Sequence, residues 1–245
     1  MAEPFAYELI DDPRPTMGLI VLQADETIES DFHTLFSPEA ARLHVNRIQS
    51  GRELTPDSIH DMARDLPRAA GLFPDGQSFD VVGYACTSGT TLIGEDKVET
   101  LVRQTCAAKA VTNPLTAALA AFKALGLSRI GIVSPYVETV AEPLRQAFER
   151  GGIIVPYTLS FGEEVERNVA RISPDSLRRA SRVVAAEAHV DGIFLSCTNL
   201  KTLGLIDDLE AELGLPIISS NTALAWHMAR QANVPVEGPG KLFRN

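Results

Sequence analysis

The feature that most constrains this chain is an internal repeat. Asp80-Val81-Val82-Gly83-Tyr84-Ala85-Cys86-Thr87 is matched by Asp191-Gly192-Ile193-Phe194-Leu195-Ser196-Cys197-Thr198, with the Asp six residues before the Cys in both. A Thr-Leu pair begins five residues after each Cys, as Thr91-Leu92 and Thr202-Leu203. Two earlier segments agree more loosely: Gly18-Leu19-Ile20-Val21 leads to Glu26-Thr27-Ile28-Glu29, and Gly131-Ile132-Val133 leads to Glu138-Thr139-Val140. After each Cys unit an Asn and a Thr stand near a helix start, Asn113 with Thr116 and Asn221 with Thr222. A chain that repeats the same order of buried run and helix start is built as two similar halves. We place residues 14–112 with 222–245 in the first half and 113–221 in the second.

The repeat units begin with short apolar runs that do not alternate. Residues 18–22, 81–85, 129–134, 192–196 and 216–219 read as strands covered on both faces, and 153–157 as a weaker one. Residues 38–48, 56–66, 97–110, 115–125, 137–150, 174–187 and 205–213 carry helical patterns. Gly126 and Gly151 read as helix stops. Ser173-Pro174 and Thr55-Pro56 each read as an N-cap followed by proline at the first helical position. Strand and helix in alternation imply an α/β fold with parallel sheets.

Composition narrows the function. At 245 residues, 45% hydrophobic and 22% charged, the chain buries a sizeable core and is neither disordered nor a disulfide miniprotein. A net charge of −10 repels phosphate backbones, so nucleic acid is not an expected partner. The acidic start and the lack of an apolar run of about 18 residues give no export or membrane signal, and three cysteines suit a reducing compartment, so a cytoplasmic protein is expected. No Cys/His cluster suggests a metal; the histidines, His33, His44, His60, His189 and His227, are scattered.

Cys86 and Cys197 fall at equivalent positions, each at the carboxyl end of a buried strand, where open α/β sheets bind ligands. Small polar residues follow each: Thr87-Ser88-Gly89-Thr90-Thr91 and Thr198-Asn199. Backbone N–H groups at a helix start favour an anion and lower a thiol's pKa. A carboxylate on these amides would lie between two thiols. One thiolate removes a proton or adds to a carbon while the other thiol donates a proton, which gives racemisation or, through addition and rotation, cis–trans isomerisation. Cys106 has no such context and reads as a packing residue in a helix.

At these motifs the chain resembles the aspartate/glutamate racemase superfamily and, within it, the maleate cis–trans isomerase group. The matching pieces are Tyr84-Ala85-Cys86-Thr87-Ser88-Gly89, Val133-Ser134-Pro135-Tyr136, Glu166-Arg167-Asn168 and Leu195-Ser196-Cys197-Thr198, within a similarity that runs from about Met17 to Arg244. The resemblance implies two Rossmann-like domains related by pseudo-twofold symmetry, with the active site in the cleft between them. It implies no metal and no pyridoxal phosphate, and relatives that are commonly dimers or larger. It makes Cys86 the nucleophile and Cys197 the proton donor, has amides around Thr87, Ser88 and Thr198 hold carboxylates, and matches Tyr136 and Asn168 to substrate-binding positions. Arylmalonate decarboxylases are similar in fold but keep only the second cysteine, so Cys86 counts against that activity.

One position departs from the group. Maleate isomerases carry an Asn after the first strand, and Asp25 stands there in this chain. A carboxylate repels a substrate carboxylate but suits an ammonium or amide N–H; it also suits a helix cap. The stretch resembles that of maleate-isomerase-like proteins associated with ectoine breakdown, which are thought to act on amino-acid-type compounds. The sequence therefore supports an isomerase acting on a small carboxylate, with an amino-acid-type racemase as the alternative and a non-catalytic small-molecule binding protein as the competing class.

Overall fold

The computed structural model describes residues 4–51 and 56–244. Two four-stranded parallel sheets form the frame. The first contains β1 (Thr16–Leu22), β2 (Arg42–Ile48), β3 (Phe79–Ala85) and β4 (Ala108–Thr112) in the order β2-β1-β3-β4. The second contains β5 (Ile130–Tyr136), β6 (Thr158–Glu163), β7 (Gly192–Leu195) and β8 (Ile217–Ser219) in the order β6-β5-β7-β8. Replacing each strand of the first sheet by the one four places later gives the second, so the repeat is one of topology. Helices connect the strands: α1 (Ile28–Leu35), α2 (Pro56–Ala70), α3 (Thr87–Ile93), α4 (Glu95–Arg103), α5 (Pro114–Leu125), α6 (Glu138–Arg150), α7 (Glu166–Val169), α8 (Pro174–Glu187), α9 (Ile206–Leu213) and α10 (Ser220–Ala232). No helix among the described residues is long and apolar enough to cross a membrane.

The paired aspartates of the repeat have one structural job. Asp80 Oδ2 accepts the Thr16 N–H at 2.8 Å, at the start of β1. Asp191 accepts the N–H groups of Ser128 and Arg129, each at 2.9 Å, just before β5. Each carboxylate thus holds the first strand of its sheet beside the cysteine-bearing strand. Register carries the equivalence on: Gly18 pairs with Val82 and Gly131 with Ile193. Both glycines leave room for a neighbour, because a Cβ on Gly18 would stand 2.9 Å from the Phe73 ring and one on Gly131 only 2.1 Å from Val184 of α8.

The two sheets share a core. α5 and α10 pack against each other, α10 lies on β3, β4 and β1, and side chains from both sheets join one buried cluster around them. Phe122, Phe148 and Phe194 meet edge to face in this cluster at centroid separations of 5.1–5.8 Å, a preferred aromatic geometry. Both helices are firmly capped. Asn113 Oδ1 accepts the Thr116 N–H at 2.8 Å, and Ser219 with Thr222 forms a capping box. The repeat therefore pairs Asn113 with Ser219, and not with Asn221 as the sequence spacing suggests.

Three of the four edge strands depart from the sequence reading. Residues 38–48 read as helix but hold β2; residues 97–110 read as one helix but hold α4 and the start of β4; and the strand expected at 153–157 lies at Thr158–Glu163, leaving Ile154 a single bridge to Arg129. An edge strand meets solvent along one side, so its sequence lacks the continuous apolar run that marks a central strand. Burial shows this: β1 and β5 are buried at every position, whereas β2 is mostly half-exposed and β6 has no buried residue. Cys106 lies in the turn between α4 and β4 rather than in a helix, though it is buried. α8 matches its expected range, with Ser173 accepting the Ser176 N–H at 3.2 Å. Gly126 ends α5 in the left-handed region at φ 68°. Past α6 the left-handed residue is Gly152, at φ 85°, and not Gly151. Thr55, the other expected cap, lies outside the described residues.

The close approach at Gly131 gives a direct test. Val184 is stiff at its branched Cβ, so Gly131→Ala forces β5 and α8 apart. Urea unfolding should show a loss of roughly 1–3 kcal/mol, the usual cost of overpacking. Unchanged stability would mean that α8 yields freely.

Candidate active site

The carboxyl ends of β3 and β7 face each other across the junction of the sheets. Cys86 directly follows β3 and occupies the N-cap position of α3, where its Sγ accepts the Gly89 N–H at 3.1 Å. Glycine is required there, because a Cβ on residue 89 would stand 2.6 Å from the Tyr84 hydroxyl and 2.8 Å from Cys86 Sγ. Cys197 follows β7 with φ 111°, a conformation that side-chain-bearing residues rarely adopt. Such strain costs on the order of 1–3 kcal/mol and persists only where the surroundings hold it. Here Ser220 at the start of α10 accepts the Cys197 N–H at 3.0 Å, and Cys197 Sγ accepts the Asn199 N–H at 3.3 Å.

Hydroxyl groups tie the two cysteine segments together. Ser220 Oγ also lies 2.8 Å from Thr87 Oγ1, so one side chain joins the residue after Cys86 to the backbone of Cys197. From the other side, the Thr198 hydroxyl donates to the Ala85 carbonyl at 3.3 Å. Both residues that flank Cys86 are thus tied to the Cys197 segment.

Two buried carboxylates, Asp25 and Glu166, act on the thiols, and a third, Asp31, acts on Asp25. Asp25 Oδ1 accepts the N–H groups of Thr27 and Ile28 at 2.8 and 2.9 Å and so caps α1; the Thr198 hydroxyl lies beside the carboxylate, and no donor meets the buried Oδ2 in good hydrogen-bond geometry. Glu166 at the start of α7 accepts the Tyr136 hydroxyl at 2.6 Å and the Asn199 side-chain amide at 3.2 Å. Asp31 accepts the Asn221 amide at 2.7 Å. That amide also donates to the Thr198 carbonyl at 2.9 Å. Its nitrogen being fixed by two acceptors, the buried Asn221 Oδ1 must be an acceptor, and it too lacks a partner. No salt bridge among the described residues engages Asp25, Asp31 or Glu166.

Burial decides the ionisation. It pushes Asp25 and Glu166 above the usual carboxylate range and Asp31 up to about 6. It pushes the Cys86 thiol up to about 12 against the pull of the Gly89 N–H, and Glu166 and Asp25 add to the rise. Cys197 is pushed well above its ordinary value, first by burial and then by the Glu166 charge. The sequence leads one to expect a helix start that lowers these thiol pKa values; in this closed site desolvation outweighs it. Both cysteines are neutral thiols at neutral pH in this state.

Of the residues singled out from sequence, Asp25, Cys86, Thr87, Ser88, Tyr136, Cys197 and Thr198 are all buried. Asn168 is not brought in: it is exposed on α7 and its amide serves Glu163. The buried residue of that motif is Glu166. Asn199 was also missed as a site residue, although it binds both halves. It accepts the Glu26 N–H at 2.8 Å through its side chain and the Thr27 hydroxyl at 2.9 Å through its carbonyl. Its place directly after Cys197-Thr198 was the available signal. Ser220 and Asn221 carried no signal beyond their nearness to a helix start.

An open cavity of about 620 Å³ lies at the mouth of the cleft, lined from one side by Glu26, Thr27 and Asp31 and from the other by Pro174, Arg178 and Lys201. The cysteines do not line it. Across its rim Arg171 holds Glu26 in a bidentate ion pair, at 3.0 and 3.1 Å. Both partners are about half exposed, so the pair contributes only about 0–1 kcal/mol, weak enough to part.

Two stability measurements test this arrangement. Ser220→Ala strands the buried Cys197 N–H, and urea unfolding should show a loss of about 1–3 kcal/mol; no loss would mean that the bridge is dispensable. Asp31 holds its proton more tightly folded than unfolded, so the stability it contributes is greatest below its ordinary 3.8 and is lost as pH rises through about 6. Wild-type stability relative to Asp31→Asn should therefore decline across that window. A flat difference would show that Asp31 ionises as a solvated carboxylate does.

With the site described, known proteins place the chain. Residues 17–243 match the model of the arylmalonate decarboxylase family. Arylmalonate decarboxylase of Bordetella bronchiseptica is 28% identical over 240 residues, covering 94% of this chain and 96% of its own. Maleate isomerase of Nocardia farcinica is 25% identical over 235 residues, covering 91% and 92%. Among solved structures, a Cys-to-Ser variant of the Nocardia farcinica maleate cis-trans isomerase with a covalently bound succinylcysteine intermediate superposes with a TM-score of 0.84 at 23% identity, covering 94% of this chain and 98% of that one. A liganded double variant of arylmalonate decarboxylase gives 0.82 at 26% identity, with coverage of 94% and 98%. This chain therefore belongs to the arylmalonate decarboxylase family, in the superfamily that also holds the maleate isomerases.

Proposed function

We propose that this protein is a cofactor-independent isomerase that uses Cys86 as nucleophile or base and Cys197 as proton donor on a small carboxylate substrate. The observation that supports this reading is the pair of thiols at equivalent strand ends, with both neighbours of Cys86, Ala85 and Thr87, bridged by hydroxyls to the Cys197 segment. Relatives in the family act as decarboxylases and as isomerases. A second thiol adds nothing to loss of carbon dioxide and protonation by one cysteine, but it is required for chemistry in which a proton leaves one sulfur and returns to another. The cis–trans route runs from Cys86 as its thiolate: the sulfur forms a C–S bond as the alkene π bond breaks, the neighbouring carbon takes the Cys197 proton and leaves Cys197 as thiolate, and rotation and reversal release the isomer and restore both sulfurs. The racemising route takes an α-hydrogen onto one sulfur and delivers the proton of the other to the opposite face.

The substrate class follows from charge. Amides around Thr87, Ser88 and Thr198 suit a carboxylate, but Asp25 Oδ2 and Asn221 Oδ1 are buried acceptors awaiting donors. With Asp25 ionised, an ammonium or amide N–H satisfies its free oxygen and a second substrate carboxylate is repelled; a dicarboxylate fits there only with Asp25 holding its proton. This favours an amino-acid-type compound over maleate. The substrate enters when the Glu26–Arg171 pair and the Asn199 contacts part. Asn168 contributes only in a conformation that turns α7 inward.

The test is incubation of purified protein with maleate and, separately, with D- and L-amino acids and their N-acyl derivatives in deuterated water. Deuterium at the α-carbon with loss of optical rotation is the expected result, and Cys86→Ser and Cys197→Ser should each abolish it. Fumarate from maleate would move the substrate to the dicarboxylates. Carbon dioxide from an arylmalonate would overturn the isomerase reading. Ligand binding without turnover, unchanged in the double serine variant, would make the protein a binding module.

A further inference from the structure

The Tyr136 hydroxyl stands between two buried partners, 2.6 Å from Glu166 Oε1 and 2.9 Å from Cys197 Sγ. It has one proton, so the row has only two polarities. With Glu166 ionised, Tyr136 donates to Oε1, its oxygen lone pair faces the sulfur, and Cys197 must be a thiol donating to it. With Glu166 protonated on Oε1, the carboxyl donates to the tyrosine oxygen and Tyr136 donates to sulfur, which stabilises a Cys197 thiolate. Glu166 Oε2 accepts from Asn199, which keeps the movable proton on the tyrosine side.

We infer that Cys197, Tyr136 and Glu166 form one proton relay in which Glu166 is the positioning residue that stores the proton and so sets whether Cys197 acts as acid or as base. The transfer balances without a co-reactant. The S–H bond of Cys197 breaks as its proton joins the Tyr136 oxygen, the Tyr136 O–H bond breaks as its proton joins Glu166 Oε1, and the negative charge moves from carboxylate to thiolate. Reversal restores the thiol. The route needs no water, which matters because Cys197 is only 4% exposed and Glu166 only 2%. Neither Glu166 nor its role in this row follows from the sequence motif, where Asn168 was the expected contributor. The groups facing Glu166 are Tyr136 of β5, Cys197 after β7, Cys86 after β3 and Asp25 after β1, and Arg47 of β2 acts on Asp25 in turn.

This inference deepens the proposed two-cysteine chemistry and is testable apart from it. In protein carrying Cys86→Ser and Cys106→Ser, Cys197 is the remaining thiol and its ultraviolet thiolate absorbance can be titrated without substrate. Glu166→Gln should lower the titration midpoint, because the anion that opposes the thiolate is gone. Tyr136→Phe should raise it, because the thiolate loses its donor. A midpoint that ignores both substitutions overturns the relay whatever the protein turns over. In the otherwise wild-type enzyme, each substitution should lower kcat by roughly 100-fold or more, the low end of what positioned proton transfer supplies, and remove one limb of its pH profile. The double variant should lose little beyond either single one, because both cut the same row. Glu166→Asp should restore part of the limb, which a packing role would not. An intact pH profile in folded Glu166→Gln, checked by thermal unfolding, would also overturn it.

Discussion

The side chain of Ser220 is the junction on which the arrangement depends. Placed at the first turn of α10, which packs on the first sheet, it reaches the backbone of Cys197 in the second sheet and the hydroxyl of Thr87 in the first. Without such a link the strained backbone at Cys197 would have no fixed partner for its buried N–H. The shared core around α5 and α10 brings the carboxyl ends of the two sheets together, and the hydroxyl bridges of Ser220 and Thr198 convert that rough proximity into a defined relation between two thiols.

Electrostatics then gives the site its character. A cluster with three buried carboxylates, two thiols and no ion-paired cation is costly, and the cost is relieved by holding protons. The thiols stay neutral, the carboxylates titrate late, and polarity is set by hydrogen-bond direction rather than by fixed charge. The nearby open cavity is of mixed charge, with the exposed Glu26–Arg171 pair across its rim.

Asp25 shows how a helix cap can leave half of its carboxylate uncommitted. One oxygen is fully engaged with the start of α1, which fixes the carboxylate; the other is buried and left without a donor in good hydrogen-bond geometry.

What the sequence determined by itself was whatever is written in local periodicity and repetition. The central strands announce themselves as unbroken apolar runs because both faces are covered. The Asp-to-Cys spacing survives in both halves because the same carboxylate must hold the same neighbouring strand at Asp80 and Asp191. From these the α/β class, the equivalence of Cys86 with Cys197 and the burial of Asp25, Thr87, Ser88 and Thr198 beside them were legible. The edge strands β2, β4 and β6 were not, since half their environment is solvent and their composition resembles that of an exposed helix. Only the tertiary structure decided that Glu166 rather than Asn168 turns inward, that Asn199, Ser220 and Asn221 complete the site, and that burial raises the thiol pKa values a helix start would lower. Each of those outcomes depends on the distance between atoms far apart along the chain, and on how much water is excluded between them, which no local pattern encodes.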